Sequence, residues 1–173
     1  MGALRKSILN AFCSNAMPYI EQVTHSPEQT RRIGCWLGEL AEPGDLILLV
    51  GNLGAGKTCL TQGIAKGLGF EGYASSPSFV LMREYQGRLP VYHFDLYRLD
   101  NIEEIADLGI DDYLYGDGIC VVEWADKAGD YFPEDHLLIE FEHLPAANQR
   151  CLRFKPCGVR CTALLAQLEE KWN

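Results

Sequence analysis

Leu46-Ile47-Leu48-Leu49-Val50-Gly51-Asn52-Leu53-Gly54-Ala55-Gly56-Lys57-Thr58 joins five apolar residues to a complete G-x-x-x-x-G-K-[ST] sequence. A run that is apolar at every position predicts a parallel strand covered on both faces, because a strand with one wet face alternates. Glu42-Pro43-Gly44-Asp45 is turn punctuation ahead of it, and Lys57 to Leu68 continues as a helix ending at Gly67-Leu68-Gly69. Strand, glycine loop and helix together form a phosphate cradle. Glycines let successive backbone N–H groups curl round an anion where a Cβ would obstruct them, and the new helix turns its positive end toward the same anion. Lys57 is placed to reach the β and γ phosphates and the Thr58 hydroxyl to ligate Mg²⁺, a hard cation that prefers oxygen. The expected nucleotide-binding residues are Asn52, Leu53, Gly54, Ala55, Gly56, Lys57 and Thr58, with ATP and Mg²⁺ as cofactors.

Outward from this core, Ser26-Pro27-Glu28 opens a helix whose Ile33, Trp36, Leu37 and Leu40 recur at helical spacing. Ser78 to Tyr85 and Leu89 to Phe94 read as an antiparallel pair around Gln86-Gly87-Arg88. Asn101 to Asp107 reads as a short helix, and Ile119 to Glu123 as another buried strand. Leu137 to Phe141 and Cys151 to Phe154 read as further strands, with Thr162 to Trp172 as a closing helix. The predicted class is α/β: a P-loop NTPase with a mostly parallel central sheet flanked by helices, plus an antiparallel strand pair. One domain is expected over 19–173, preceded by an N-terminal extension over 1–18.

A P-loop enzyme needs an acid near the magnesium, at the end of a strand beside the first. Glu123 ends Ile119-Cys120-Val121-Val122, and Asp95 ends Val91-Tyr92-His93-Phe94, so both are candidates. Which one orients the attacking water stays open at this point. Lys57, Asp95 and Glu123 form the expected catalytic set, with Thr58 and Glu123 as the metal ligands. His93 is expected to pack or hydrogen-bond, on the argument that strand alternation separates it from Asp95. Ser75-Ser76-Pro77-Ser78 has two readings, a plain turn or a hydroxyl loop that senses the γ-phosphate through Ser76 and Ser78. Trp124 also has two, a core residue or, if exposed, an anchor for a partner.

The chain has 15 Lys and Arg against 24 Asp and Glu, a net charge of -9, so its mean field repels a nucleic-acid backbone and direct tRNA or DNA binding is disfavoured. No apolar run reaches the ~20 residues that cross a bilayer, so no membrane partner is expected. Seven cysteines without framework spacing are expected as reduced thiols in a cytoplasmic protein, and Cys157 with Cys161 lacks the second pair that zinc requires.

GNLGAGKT, SSPSF, VYHFDLYRL and VVEW, in this order over about residues 24 to 155, resemble the TsaE-type ATPases of bacterial tRNA threonylcarbamoyladenosine biosynthesis. The resemblance implies an ATPase that turns over weakly alone and drives cycles of a complex. TsaD-type threonylcarbamoyl transferase and TsaB-type scaffold subunits would be its partners, with tRNA met only through the complex. It also implies magnesium ligation by Thr58 and Glu123, a functional acid at Asp95, and adenine contacts near Pro27 and Arg150. Ser78 stands where the family commonly has Thr, and the first 18 residues have no family counterpart.

Two other functions share the phosphate loop. A small-molecule kinase would need an arginine-bearing lid, whereas Arg83, Arg88 and Arg98 fall around the predicted hairpin. A nucleotide-controlled binding module of the GTPase type would need a guanine-reading N-K-x-D, which the chain lacks; Asp126-Lys127-Ala128-Gly129 matches D-x-x-G only superficially.

Overall fold

The computed structural model describes residues 19–172, so the extension expected over 1–18 lies outside the described residues. Strands β1 (Ile20–Thr24), β2 (Leu46–Gly51), β3 (Met82–Tyr85), β4 (Val91–Asp95), β5 (Ile119–Glu123), β6 (His136–His143) and β7 (Arg150–Cys157) form one sheet in the order β1-β7-β6-β2-β5-β4-β3. Helices α1 (Pro27–Leu40), α2 (Lys57–Gly67), α3 (Ile102–Asp107), α4 (Asp111–Leu114) and α5 (Gly158–Trp172) cover it, with a 3-10 turn at Ala125–Ala128. β4, β5, β2 and β6 are mutually parallel and hold the centre. The α/β expectation holds, but the antiparallel part is larger than one pair: β3 flanks β4 on one side, and β7 and β1 extend the other.

β1 is the strand that the sequence reading missed. Ile20-Glu21-Gln22-Val23-Thr24 is half polar and lies on the edge, where its register with Phe154 to Arg150 supplies the pairing. Ser78 to Leu81, expected as strand, is instead a turn in which Val80 and Leu81 both donate to the Pro77 carbonyl. Cys157 is disulfide-bonded, against the expectation of reduced thiols, whereas Cys35, Cys59, Cys120, Cys151 and Cys161 are free.

β2 has no wet face because its alternate residues enter two separate cores. Ile47 and Leu49 join Leu37, Leu60, Ile64 and Leu165 under α1, α2 and α5, while Leu46, Leu48 and Val50 join Phe94, Ile105, Ile110 and Trp124 on the opposite side. α1 and α2 cross at backbone contact. A Cβ at Gly34 or Gly38 would lie 2.2 Å from the carbonyl oxygen of Leu60 or Ile64, and one at Gly63 or Gly67 would lie 2.1 or 2.0 Å from that of Arg31 or Cys35. Two glycine pairs at i, i+4 thus let the two helices pack backbone to backbone. On the far side Arg160 of α5 grips the buried Asp45 carboxylate with two bonds, at 2.9 and 2.7 Å, anchoring the turn that feeds β2.

Candidate functional site

α2 begins directly out of the glycine loop, so its first two side chains, Lys57 and Thr58, emerge at the C-terminal edge of the central strands. Gly54 (φ +74°) and Gly56 (φ +108°) hold backbone conformations that side chains rarely adopt, which explains glycine at both. Lys57 is buried, and its Nζ donates to the carbonyls of Gly51 (2.7 Å) and Asn52 (3.0 Å). The same ammonium lies 3.8 Å from the centre of the Trp124 ring. Burial pushes the Lys57 pKa down, and the carboxylates of Glu123, Asp126 and Asp95 pull it back up. Leu53 stands exposed on the rim and Ala55 packs inside.

Parallel pairing of β4 with β5 sets Asp95 directly opposite Glu123. Each residue is 2% exposed, so each carboxylate must be satisfied from within the protein. Glu123 accepts from Thr58 Oγ1 at 3.0 Å on one oxygen and meets His93 Nε2 at 2.8 Å on the other. Asp95 takes the Ser76 and Ser78 hydroxyls, both at 2.5 Å, on Oδ2, and the Tyr97 amide at 2.9 Å on Oδ1. The Ser76 and Ser78 hydroxyls of the Ser75–Ser78 loop are thus both tied to the acid. This donor set of a hydroxyl and clustered carboxylates at a glycine cradle suits a hard divalent cation and an anionic ligand.

Strand alternation does not separate His93 from Asp95, because Phe94 lies between them. Residues i and i+2 share a face, so His93 and Asp95 both join Glu123 on the α2 side, while Phe94 enters the other core. Beyond His93, the Tyr85 hydroxyl donates to the Ser75 carbonyl at 2.8 Å and lies 3.3 Å from His93 Nδ1, so one buried chain of contacts runs from the Ser75–Ser78 loop to Glu123. Trp124 sits as the core alternative expects: the residue is 8% exposed, packed between Lys57 and Tyr97, with φ at +62°. Its ring braces the lysine.

Lys57, Thr58, Ser76, Ser78, Asp95 and Glu123 line a cleft of about 480 Å³. A second hollow of about 210 Å³ brings Pro27 and Arg150 together with Gly54, Ala55 and Gly56. Arg150 reaches the loop itself, its Nη2 lying 3.3 Å from the Gly54 carbonyl. The arginines are not all at the hairpin: Arg88 caps the end of α1 through the Gly38 and Ala41 carbonyls, whereas Arg98 lines the cleft. Arg98 and His93 are the site residues missed as such; the i, i+2 spacing from Asp95 was the available signal for His93.

The family model described as "Threonylcarbamoyl adenosine biosynthesis protein TsaE" matches residues 24–152, which carry the glycine loop, both acids and the hydroxyl loop. The chain belongs to the TsaE family. A Bacillus subtilis tRNA threonylcarbamoyladenosine biosynthesis protein TsaE is 38% identical over 158 residues, covering 91% of this chain and 98% of the relative. The Treponema pallidum TsaE is 40% identical over 127 residues, covering 73% and 94%. A crystal structure of Bacillus subtilis YdiB superposes with a TM-score of 0.81 at 35% identity, over 92% of this chain and all of that one. Membership of the TsaE family assigns the chain to the formation of threonylcarbamoyladenosine in tRNA. Among the described residues no helix is long and apolar enough to cross a membrane.

Proposed function

We propose that the chain binds Mg·ATP at the 51–58 loop and hydrolyses it to drive cycles of the cytoplasmic complex that threonylcarbamoylates tRNA. The observation that carries this reading is the convergence of Lys57, Thr58, Asp95 and Glu123 on one cleft at the start of α2. The loop amides and the α2 N-terminus bind the phosphates, and Lys57 leaves its two carbonyls to neutralise the terminal ones. Thr58 and Glu123 would hold magnesium, which would neutralise charge developing on the phosphate oxygens. Glu123 is committed through both oxygens to Thr58 and His93, which suits a ligand held in place. Asp95, which gathers the two serine hydroxyls, is the carboxylate we assign to orienting the attacking water.

In the hydrolysis the water oxygen bonds to the γ-phosphorus while the bond to the β–γ bridging oxygen breaks, and that oxygen keeps the electron pair as part of ADP. One water proton stays on the released hydrogen phosphate and the other leaves to solvent by way of a carboxylate. The adenine belongs in the second hollow, between Pro27 and Arg150. TsaD-type transferase and TsaB-type scaffold subunits are the partners, and they carry the tRNA affinity that a chain of net charge -9 lacks.

The test is ATP turnover by the purified chain, alone and with those two subunits, using Lys57→Ala as the blank. The expected rate is low alone, rises with partners and vanishes in the blank. Thr58→Ala should lose Mg·nucleotide binding, and Asp95→Ala should keep binding but lose turnover. Turnover in the blank equal to that of the unmodified chain would refute the reading.

A further inference from the structure

We infer that Arg98 is a catalytic residue of this site, an arginine supplied by the chain itself to the γ-phosphate in the transition state; the inference rests on the ATPase reading above. Arg98 lines the same cleft as Lys57, Thr58, Asp95 and Glu123. Its guanidinium makes no hydrogen bond or ion pair among the described residues, and the contact it does make is with the Phe79 ring, 4.1 Å from the centroid. A cation that shares a cleft with two carboxylates yet pairs with neither is unusual in a chain with nine more acidic than basic side chains.

Its backbone, in contrast, is fixed. Leu96 N donates to the Glu123 carbonyl, Tyr97 N to Asp95 Oδ1, Leu99 N to the Leu96 carbonyl, and Lys127 Nζ bonds the carbonyls of Tyr97 (2.5 Å) and Leu99 (2.8 Å). A free guanidinium on a rigid turn can reach an incoming phosphate without refolding anything. Phe79, which is 83% exposed, directly follows the two serines bound to Asp95. When those hydroxyls exchange Asp95 for oxygens of the bound nucleotide, the ring shifts and Arg98 is released toward the phosphates. There it bonds two γ-oxygens as the new water–phosphorus bond forms and the bond to the bridging oxygen breaks, offsetting charge that the ground state does not carry.

The experiment compares the full chain with Arg98→Ala in single-turnover ATP hydrolysis, Mg·ADP affinity, and trapping of Mg·ADP by aluminium fluoride. The expected result is kcat reduced at least about tenfold, Mg·ADP affinity kept within about threefold, and loss of the trapped complex, the pattern of a contact made only in the transition state. Arg98 is exposed and holds no structural bond, so retained ADP binding also certifies the fold. An unchanged kcat, or ADP affinity falling by the same factor as kcat, would overturn the assignment. A full chain that binds Mg·ADP but shows no turnover above the Lys57→Ala blank would overturn the ATPase reading, and this assignment with it.

Discussion

Gly63→Ala should destabilise the protein even though it adds a better helix former. Propensity alone favours alanine by about 1 kcal/mol in a helix interior. The new Cβ would lie 2.1 Å from the Arg31 carbonyl oxygen, where ordinary contact begins at 3.4 Å, so α1 and α2 must part by about 1.3 Å (3.4 minus 2.1). Neither side of the contact is a flexible side chain that can swing away; both are helix backbone. Overpacking of this kind costs about 1–3 kcal/mol, and parting the helices forfeits dispersion contacts along the whole joint, including those at Gly34, Gly38 and Gly67. The net expectation is a loss of about 2 kcal/mol, or about 4–8 °C in Tm at 2–4 °C per kcal/mol for a chain of this size. Thermal unfolding, with urea denaturation to show an unchanged m-value, measures it. Nucleotide affinity should fall in parallel, because the same joint sets Thr30 and Pro27 of α1 against the glycine loop that ends in α2. A Tm equal to or above that of the unmodified chain would refute the close-packed joint.

Arg160→Ala strands the Asp45 carboxylate, which retains the Glu42 amide at 2.8 Å but loses two charged bonds; a loss of about 2–4 kcal/mol in urea denaturation is expected, and a change below about 0.5 kcal/mol would refute it. Burial lowers the pKa of His136 below 6.5, so between that folded value and 6.5 the unfolded chain binds more protons. Stability from this residue is thus complete above pH 6.5 and lost as pH falls toward the folded value, and His136→Gln should flatten that slope in a series of Tm measurements against pH. His93→Leu removes one of the two anchors of Glu123, and the Mg²⁺ concentration for half-maximal turnover should rise about tenfold, as for other residues that orient a metal ligand. An unchanged magnesium requirement would show that Thr58 alone sets the carboxylate.

The glycine loop was legible because motif, apolar run and helix pattern agree within thirteen consecutive residues, and local chemistry decides all three. Asp95 and Glu123 were legible as strand-end acids, but that they stand opposite each other follows from the register of two strands whose ends lie 28 positions apart (123 minus 95). β1 was hidden because an edge strand needs no continuous apolar run. Trp124 could be read either way from the sequence, since its burial depends on Tyr97 and Lys57 arriving from two other elements. Arg98 lies near the hairpin in sequence, yet the turn after β4 carries it round to the cleft.

Side chains expected to meet the nucleotide already have partners within the protein: Lys57 on two loop carbonyls, Thr58 on Glu123, and Ser76 and Ser78 on Asp95. Binding therefore exchanges bonds rather than adding them, and each exchange yields only the difference between the bond made and the bond given up. If the chain binds nucleotide as proposed, affinity comes largely from the loop amides and the helix terminus, which ATP and ADP share, whereas the exchange at Ser76 and Ser78 requires an oxygen close to Asp95. On the proposed reading only the γ-phosphate with its attacking water lies there, so ADP leaves the serines on Asp95 and Phe79 beneath Arg98. The difference between the two nucleotides is then written in the Ser76–Phe79 segment, on the exposed rim of the cleft where a partner subunit can read it.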